Sequence, residues 1–468
     1  MKRRSELIPV LAALVTLTTC ASPRHVSADP RAEAPTAAPA EKAAPGSARE
    51  AAQPTAAPTG ANVSNAPNAA NASTPKAPID ATPTTVSGLP VLRLSGTPHE
   101  MGFQHGRALA AGIKEGITEF CVKYRAHSIR ARYEQIRKRV ATEIEFPAEF
   151  TDELQGMLEG MEASGVDLTV PLLKRKLDLL DLQCLNSIDH WGLFGCSGVT
   201  AWGSCTPDGE VLTSRNFDFD ADPDTHAVVR LGIVLAFHPA GGKAFASFTF
   251  PGLVGITTGV NEDGVACFLH VANGTFGGGE LGRSLPLLVI AREILQRCDG
   301  AHAAPLARER LAQANVRNSF LFRVVTRGDD APPTSVFEID SLGFGEQKLP
   351  DVAAGEKPLL VATNHYRTRP GVFEAIPDSK IRFGNLTEGA QRCLATGDHV
   401  IEPEEAFADL ETVAQDGAII TLHSLVFVPR TLDLWASFSR VSERTNRPIS
   451  APHAKPAHVN LRDLLGGT

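Results

Sequence analysis

From residue 89 onward the apolar positions follow two periods, and the change between them falls near residue 195. Before it, Val91-Leu92-Arg93-Leu94 predicts a short strand, and Thr97-Pro98-His99-Glu100 predicts a helix start. There Thr97 is the N-cap, Pro98 takes the first helical position and Glu100 completes a capping box. Phe150, Leu154, Met157, Leu158 and Met161 share one face of a further helix that stops at Gly165. Another helix is predicted over 172–188. After residue 195 the pattern shortens to strands. Hairpins are predicted for 196–204 with 210–216 around Pro207-Asp208-Gly209, and for 228–237 with 243–250 across Gly241-Gly242. Strands 255–260 and 265–271 flank the turn Glu262-Asp263-Gly264. Helices over 285–298 and 303–314 follow, then strands over 318–326, 334–339 and 358–363. Helices over 379–395 and 403–412 precede a last hairpin, 420–428 with 431–439. Strand pairs alternating with helix pairs predict an α+β fold of two sheets between helical layers.

The first 87 residues lack any such period. Lys2-Arg3-Arg4 followed by the apolar run 7–17 reads as a secretory signal, too short to span a membrane. Two endings are open: a lipoprotein box at Leu17-Thr18-Thr19-Cys20 with Cys20 lipidated, or ordinary cleavage after Ala21. Both place the mature protein outside the cytoplasm. Residues 22–87 are rich in Ala, Pro, Asn, Thr and Ser, and such a composition cannot offset its ordering entropy. The chain thus divides into a signal (1–21), a disordered tether (22–87), a helical N-terminal fragment (88–195) and a strand-rich catalytic fragment (196–468).

With 45 Lys+Arg against 53 Asp+Glu the net charge is -8, and no basic stripe is present, so nucleic acid is not an expected partner. The eight cysteines show no CxxC pair and no His/Cys cluster of the kind that binds zinc, and their spacing specifies no disulfide framework. No metal and no cofactor is expected. Asp218, Asp220, Asp222 and Asp224 lack the Gly and terminal Glu of a calcium loop. Gly277-Gly278-Gly279 is not followed by Lys-Ser/Thr, so it reads as a loop at a substrate mouth rather than a phosphate cradle.

The candidate chemistry lies at Gly195-Cys196-Ser197-Gly198, followed by Ser214-Arg215-Asn216-Phe217-Asp218. A cysteine that opens a strand after a glycine is placed to cut the chain before itself. The α-amine so freed titrates near pH ~7.7–8.0 and serves the thiol on its own residue as a base. Arg215 is placed to hold the thiolate or a carbonyl oxygen, and Asp218 to orient the new ammonium group. Asn364, ending the apolar run Leu359-Leu360-Val361-Ala362, is a neutral oxyanion donor. Each signal has a plain structural counterpart: a buried cysteine or a Cys196–Cys205 disulfide, an ion pair, a turn cap.

These elements together resemble the autoproteolytic acyltransferase/hydrolase family typified by isopenicillin-N acyltransferase. The chain resembles more distantly the choloylglycine hydrolases, acid ceramidase and N-acylethanolamine amidase, all N-terminal-nucleophile hydrolases. The resemblance covers about 89–463. It runs from Gly96-Thr97-Pro98-His99-Glu100-Met101-Gly102-Phe103-Gln104-His105-Gly106 through Gly195-Cys196, Arg215-Asn216-Phe217-Asp218, Gly259-Val260-Asn261-Glu262-Asp263-Gly264 and Thr363-Asn364-His365-Tyr366 to Ser379-Lys380-Ile381-Arg382. It implies a four-layer αββα sandwich preceded by a helical propeptide, and cleavage between Gly195 and Cys196 with the N-terminal fragment retained as a partner. It further implies Cys196 as nucleophile, Asn364 and a backbone N–H near Val271 as oxyanion donors, and Arg382 in support. The implied substrate is a small N-acyl amide, and the 22 Phe residues suggest an apolar acyl pocket. Three rival readings stand beside this one: acyl transfer from thioester donors, a non-catalytic surface lipoprotein, and an uncut enzyme using His270 or His365 as base. The glycine at 198 departs from the family pattern.

Overall fold

The computed structural model describes residues 81–191, 194–222, 224–275, 282–329, 332–371 and 377–466. The signal segment with Cys20, the tether up to residue 80 and Gly277-Gly278-Gly279 lie outside these. All described residues belong to one compact unit. The fold is mixed α/β, built around two large sheets.

Among the described residues the larger sheet has nine strands and the smaller six. In spatial order those of the larger are Thr84–Val86, Leu89–Gly96, Ile233–Pro239, Phe245–Thr249, Thr258–Asn261, Ala266–Val271, Phe320–Val325, Thr334–Asp340 and Gly343–Glu346. Those of the smaller are Leu359–Ala362, Phe194–Ala201, Leu212–Asp220, Ile419–Val428, Asp433–Phe438 and Ala457–Asn460. Neighbours pair antiparallel throughout both sheets, except that Leu89–Gly96 runs parallel to Ile233–Pro239.

The alternation of side chains sorts the core. Ala246, Phe248, Ala266 and Phe268 of the larger sheet join Leu425, Phe427, Leu434 and Ala436 of the smaller in one buried cluster. The neighbours on the opposite face of the larger sheet, Phe245, Cys267, Leu269 and Phe322, pack instead with Met101, Leu154, Met157, Leu288 and Leu295. Those come from the helices Pro98–Glu115, Ala148–Ala163 and Leu287–Arg297. Ala201, Leu212 and Val426 of the smaller sheet meet Ala390, Leu394, Phe407 and Leu410 of the helices Pro377–Ala395 and Pro403–Glu411. Buried phenylalanines are therefore core, each worth roughly 1.5–3 kcal/mol of burial.

The predicted capping box at Thr97 and Glu100 is present. Helix Pro98–Glu115 meets Ala148–Ala163 backbone to backbone. A Cβ on Gly102 or Gly106 would lie 1.9 Å from the carbonyl oxygen of Glu153 or Met157, so only glycine permits this approach. Three expectations are corrected. The strand predicted over 228–237 begins only at Ile233, because Ala227–Arg230 forms a short helix. The tether does not extend to residue 87, because Thr84–Val86 already pairs with Leu89–Gly96 around a turn at Ser87 and Gly88, both at positive φ. The helix over 172–188 is broken. Arg175–Lys176 pairs with Thr169–Val170, and Asp178 then caps a shorter helix, Leu179–Leu185, through its own capping box.

His105 of the first helix is wholly buried, and its Nε2 accepts the Gly252 N–H at 3.0 Å. Burial, helped by the Arg292 charge, pushes its ordinary value of 6.5 down to about 3. Unfolding restores the ordinary affinity, so between those values the unfolded chain binds a proton that the folded chain refuses. The stability from this group is complete above 6.5 and is lost as the pH falls towards 3, by up to ~1.4 kcal/mol per pH unit. A His105→Gln variant should show a flatter fall in melting temperature than the parent across that window. Parallel curves would remove His105 as the cause.

Candidate active site

Strand register places the chemistry. Cys196 lies opposite Phe217 and Gly195 opposite Asp218, which brings Arg215 and Asp218 beside the thiol from opposite faces of their strand. Leu359–Ala362 runs back along the same strand with Ala362 opposite Gly198, so residue 364 arrives next to Cys196. Helix Pro377–Ala395 then delivers Arg382 from its first turns.

The contacts close around one residue. The Cys196 N–H donates to Asn364 Oδ1 at 2.9 Å, and its carbonyl accepts from Arg382 Nη1 at 2.8 Å. Its Sγ donates to the Leu269 carbonyl and accepts from Arg215 Nη2, each at 3.2 Å. Arg215 Nη2 also donates to Leu269 O at 2.7 Å, and Nε to Thr258 Oγ1 at 2.6 Å. Asn364 has a fixed orientation. Its Oδ1 faces both Cys196 N and Arg382 Nη2, while Nδ2 donates to Val271 O at 2.6 Å. Val271 thus touches the site through its carbonyl. Asp218 Oδ1 accepts from Thr421 Oγ1 at 2.6 Å, and Oδ2 lies 3.6 Å from Arg382 Nη1. A Cβ on Gly195 would fall 3.1 Å from Asp218 Cβ, which explains the glycine before the cysteine.

Every one of these side chains is buried, Cys196 to 0% exposure. Burial raises the Cys196 thiol to about 11 against the lowering pull of Arg215, with Asp218 adding to the rise. Burial also raises Asp218, opposed chiefly by Arg382, and lowers Arg215. The thiol is therefore neutral, held between a cation and a carbonyl. Two surface cavities, of about 390 Å³ beside Leu360 and Arg367 and about 270 Å³ beside Val140 and Arg283, do not include Cys196.

Sequence reasoning brought Cys196, Arg215, Asp218, Asn364 and Arg382 to one place, and it missed their supports. Thr258 and Thr421 carried no motif, being ordinary strand threonines. Ser379, whose hydroxyl accepts the Asn364 N–H at 2.8 Å, was visible only as a helix start. Of the two alternative bases, His365 Nδ1 is bonded to Ser379 Oγ at 2.9 Å, away from the thiol, and wholly buried His270 is pushed well below 6.5 by burial and by Arg215. Cys196 and Cys205 are both free thiols, so the disulfide reading fails: Cys205 packs with the helices outside the smaller sheet. Three of the four aspartates in the run are engaged within the protein. Asp218 binds Thr421, Asp220 binds Arg125 at 2.5 Å, and Asp222 caps the turn at Thr225, His226 and Ala227.

The class defined by fold and site is a mixed α/β protein with a buried cysteine set among two arginines, an aspartate and an asparagine. No family model matches the chain. A curated relative of unassigned character from Archaeoglobus fulgidus is 28% identical over 235 residues, 46% of this chain. The match spans 38% of that relative's own length. Among solved structures, the Caenorhabditis elegans N-acylethanolamine-hydrolyzing acid amidase ortholog is similar at 17% identity and TM-score 0.38, over 50% of this chain and 93% of that one. A point mutant of conjugated bile acid hydrolase from Clostridium perfringens is similar at 11% and 0.37, over 58% and 95%. Penicillin V acylase from Agrobacterium tumefaciens is similar at 14% and 0.36, over 53% and 84%.

Proposed function

We propose that this chain is an exported, self-processing cysteine hydrolase of N-acyl amides, on a four-layer αββα N-terminal-nucleophile scaffold. The observation that carries the reading is the arrangement around Cys196. Its thiol rests on Arg215, and its backbone nitrogen, the one that cleavage would free, is already held by Asn364. In the first reaction Cys196 Sγ attacks the Gly195 carbonyl carbon. The Gly195–Cys196 C–N bond breaks, the departing nitrogen takes a proton, and water hydrolyses the resulting thioester. In the second, the free α-amine takes the thiol proton and the thiolate attacks the substrate carbonyl. The substrate amine leaves with a proton, and water releases the acyl group from Cys196.

The buried carboxylate of Asp218, with Oδ2 lacking a hydrogen-bond partner, suits the ammonium that the cut creates. Asn364 serves as oxyanion donor through the second N–H of Nδ2, the first being taken by the Val271 carbonyl, and a backbone N–H of the neighbouring strand, near but not at that carbonyl, is the second donor. The signal at 1–21 supports an extracytoplasmic enzyme, lipid-anchored if Cys20 is modified and otherwise periplasmic or secreted.

N-terminal sequencing and intact mass of the purified protein test the reading. Two fragments are expected, the larger beginning at Cys196, and a single uncut chain would overturn self-processing. On protein already cut, Asn364→Ala should lower kcat by ~10²–10³ with little change in KM. A change in KM alone would assign Asn364 to substrate binding instead.

A further inference from the structure

The charges behind the nucleophile do not balance. Arg215, Arg323 and His270 are all at 0% exposure. Both guanidiniums lie over one ring, Phe268, with Arg215 Cζ 5.5 Å and Arg323 Cζ 4.6 Å from its centroid. Phe268 is directly opposite Arg323 in the sheet register, and His270 follows two residues on, facing the same side. The three side chains therefore converge between the sheets, beside Cys196.

Among the described residues neither arginine forms an ion pair with a carboxylate. The neighbouring carboxylate, Asp218, lies on the other face of Arg215's strand, where Thr421 and Arg382 engage it. Donors are left over. Arg215 uses Nε and Nη2, and its Nη1 has no hydrogen-bond partner. Arg323 uses only Nη2, on Ser214 O at 2.8 Å, leaving Nε and Nη1. Neither ring nitrogen of His270 meets a partner at full hydrogen-bond geometry, although the Cys196 backbone is near enough to act on the ring.

The glycine at 198 belongs to the same device. Val199 N–H bonds the Ser214 hydroxyl at 3.1 Å, and the Ser214 carbonyl is taken by Arg323. A Cβ at 198 would sit 2.0 Å from Ser214 O and 3.0 Å from Arg323 Nη2, so the departure from the family pattern makes room for the second guanidinium.

We propose that these leftover donors bind a compact monovalent anion of halide size, held by Arg215 Nη1, Arg323 Nε and Nη1 and one ring N–H of His270. Two like charges in a dry interior are strongly unfavourable without a counter-charge, and an arginine does not shed its proton to relieve them. The thiol does not supply the charge in the uncut chain, since burial keeps it protonated. The face of the Phe268 ring, with its negative π density, is taken by the two guanidiniums, so the anion is held by their leftover N–H groups and not by the ring. The anion offsets the two guanidiniums on the side away from Sγ.

The test does not depend on amide hydrolysis. Wild-type protein and the inactive Cys196→Ala chain are crystallised with bromide as the only halide, and anomalous data are collected at the bromine edge. One peak within hydrogen-bond reach of Arg215 Nη1 and Arg323 is expected in both, and lost in Arg323→Met. In solution the melting temperature should rise saturably in sodium bromide over sodium gluconate at equal ionic strength, and not in Arg323→Met. A wild-type map without that peak overturns the proposal even if Arg323→Met fails to fold. A peak that survives in Arg323→Met overturns the assignment to Arg323.

Discussion

Replacing Cys196 with alanine should leave one uncut polypeptide and reduce amide turnover by at least ~10⁴-fold, the scale of loss when a covalent nucleophile is removed. The substitution takes out the atom that Arg215 and the Leu269 carbonyl hold, and leaves the Asn364 and Arg382 contacts, which are to its backbone. The variant should therefore fold as the parent does. Cys196→Ser is the informative companion: it retains a nucleophile of weaker reactivity, so slow cutting is expected. Intact mass over time reads both. Cutting that persists at full rate in the alanine variant would mean an external protease, and turnover without cutting would favour the uncut enzyme.

The second large effect is on cohesion. Glu153 lies before the proposed cut and Arg292 after it, each 2% exposed, and they bond twice, at 3.0 and 2.7 Å. Arg292 also donates to Val254 O at 2.8 Å and lies 4.3 Å from the centre of the Phe237 ring. Glu153→Ala leaves that guanidinium buried without its anion and should lower unfolding free energy by ~3–5 kcal/mol. The measurement is urea denaturation in the uncut Cys196→Ala background, where a single chain unfolds. A loss under ~1 kcal/mol would show that packing, not this pair, joins the two fragments.

Much of the fold was written in local pattern. Two-residue alternation and Gly-containing turns placed most hairpin strands to within a few residues, because each strand alternates between two distinct buried surfaces. The strand predicted from 228 begins only at Ile233, after a short helix Ala227–Arg230 whose valines gave the same apolar signal. The edge strands Gly343–Glu346 and Ala457–Asn460 were not legible. They are short and half-exposed, so neither face carries a continuous apolar signal. The site was legible where it depends on residues next to Cys196 in register, as with Arg215, Asp218 and Asn364. It was illegible where a distant strand supplies a side chain of common type. Arg323 is the clearest case, since nothing in Phe322-Arg323-Val324 separates a buried guanidinium from an exposed one. Glycine at 198 was the only trace of it, and it read as an anomaly until the partner was known.

The parallel strand pair within the larger sheet, Leu89–Gly96 against Ile233–Pro239, bears on how such a protein would age. A parallel pair is formed through a long crossover, and here that crossover contains the Gly195–Cys196 bond. The proposed cut would sever the connector that made the arrangement accessible, while the arrangement itself would persist. Maturation would then work as a ratchet. Such a protein could reach its working form only once, and a molecule that opened afterwards would be two strangers in solution rather than a chain able to mend itself. Its service life would be set by the height of the unfolding barrier, not by the depth of the folded well.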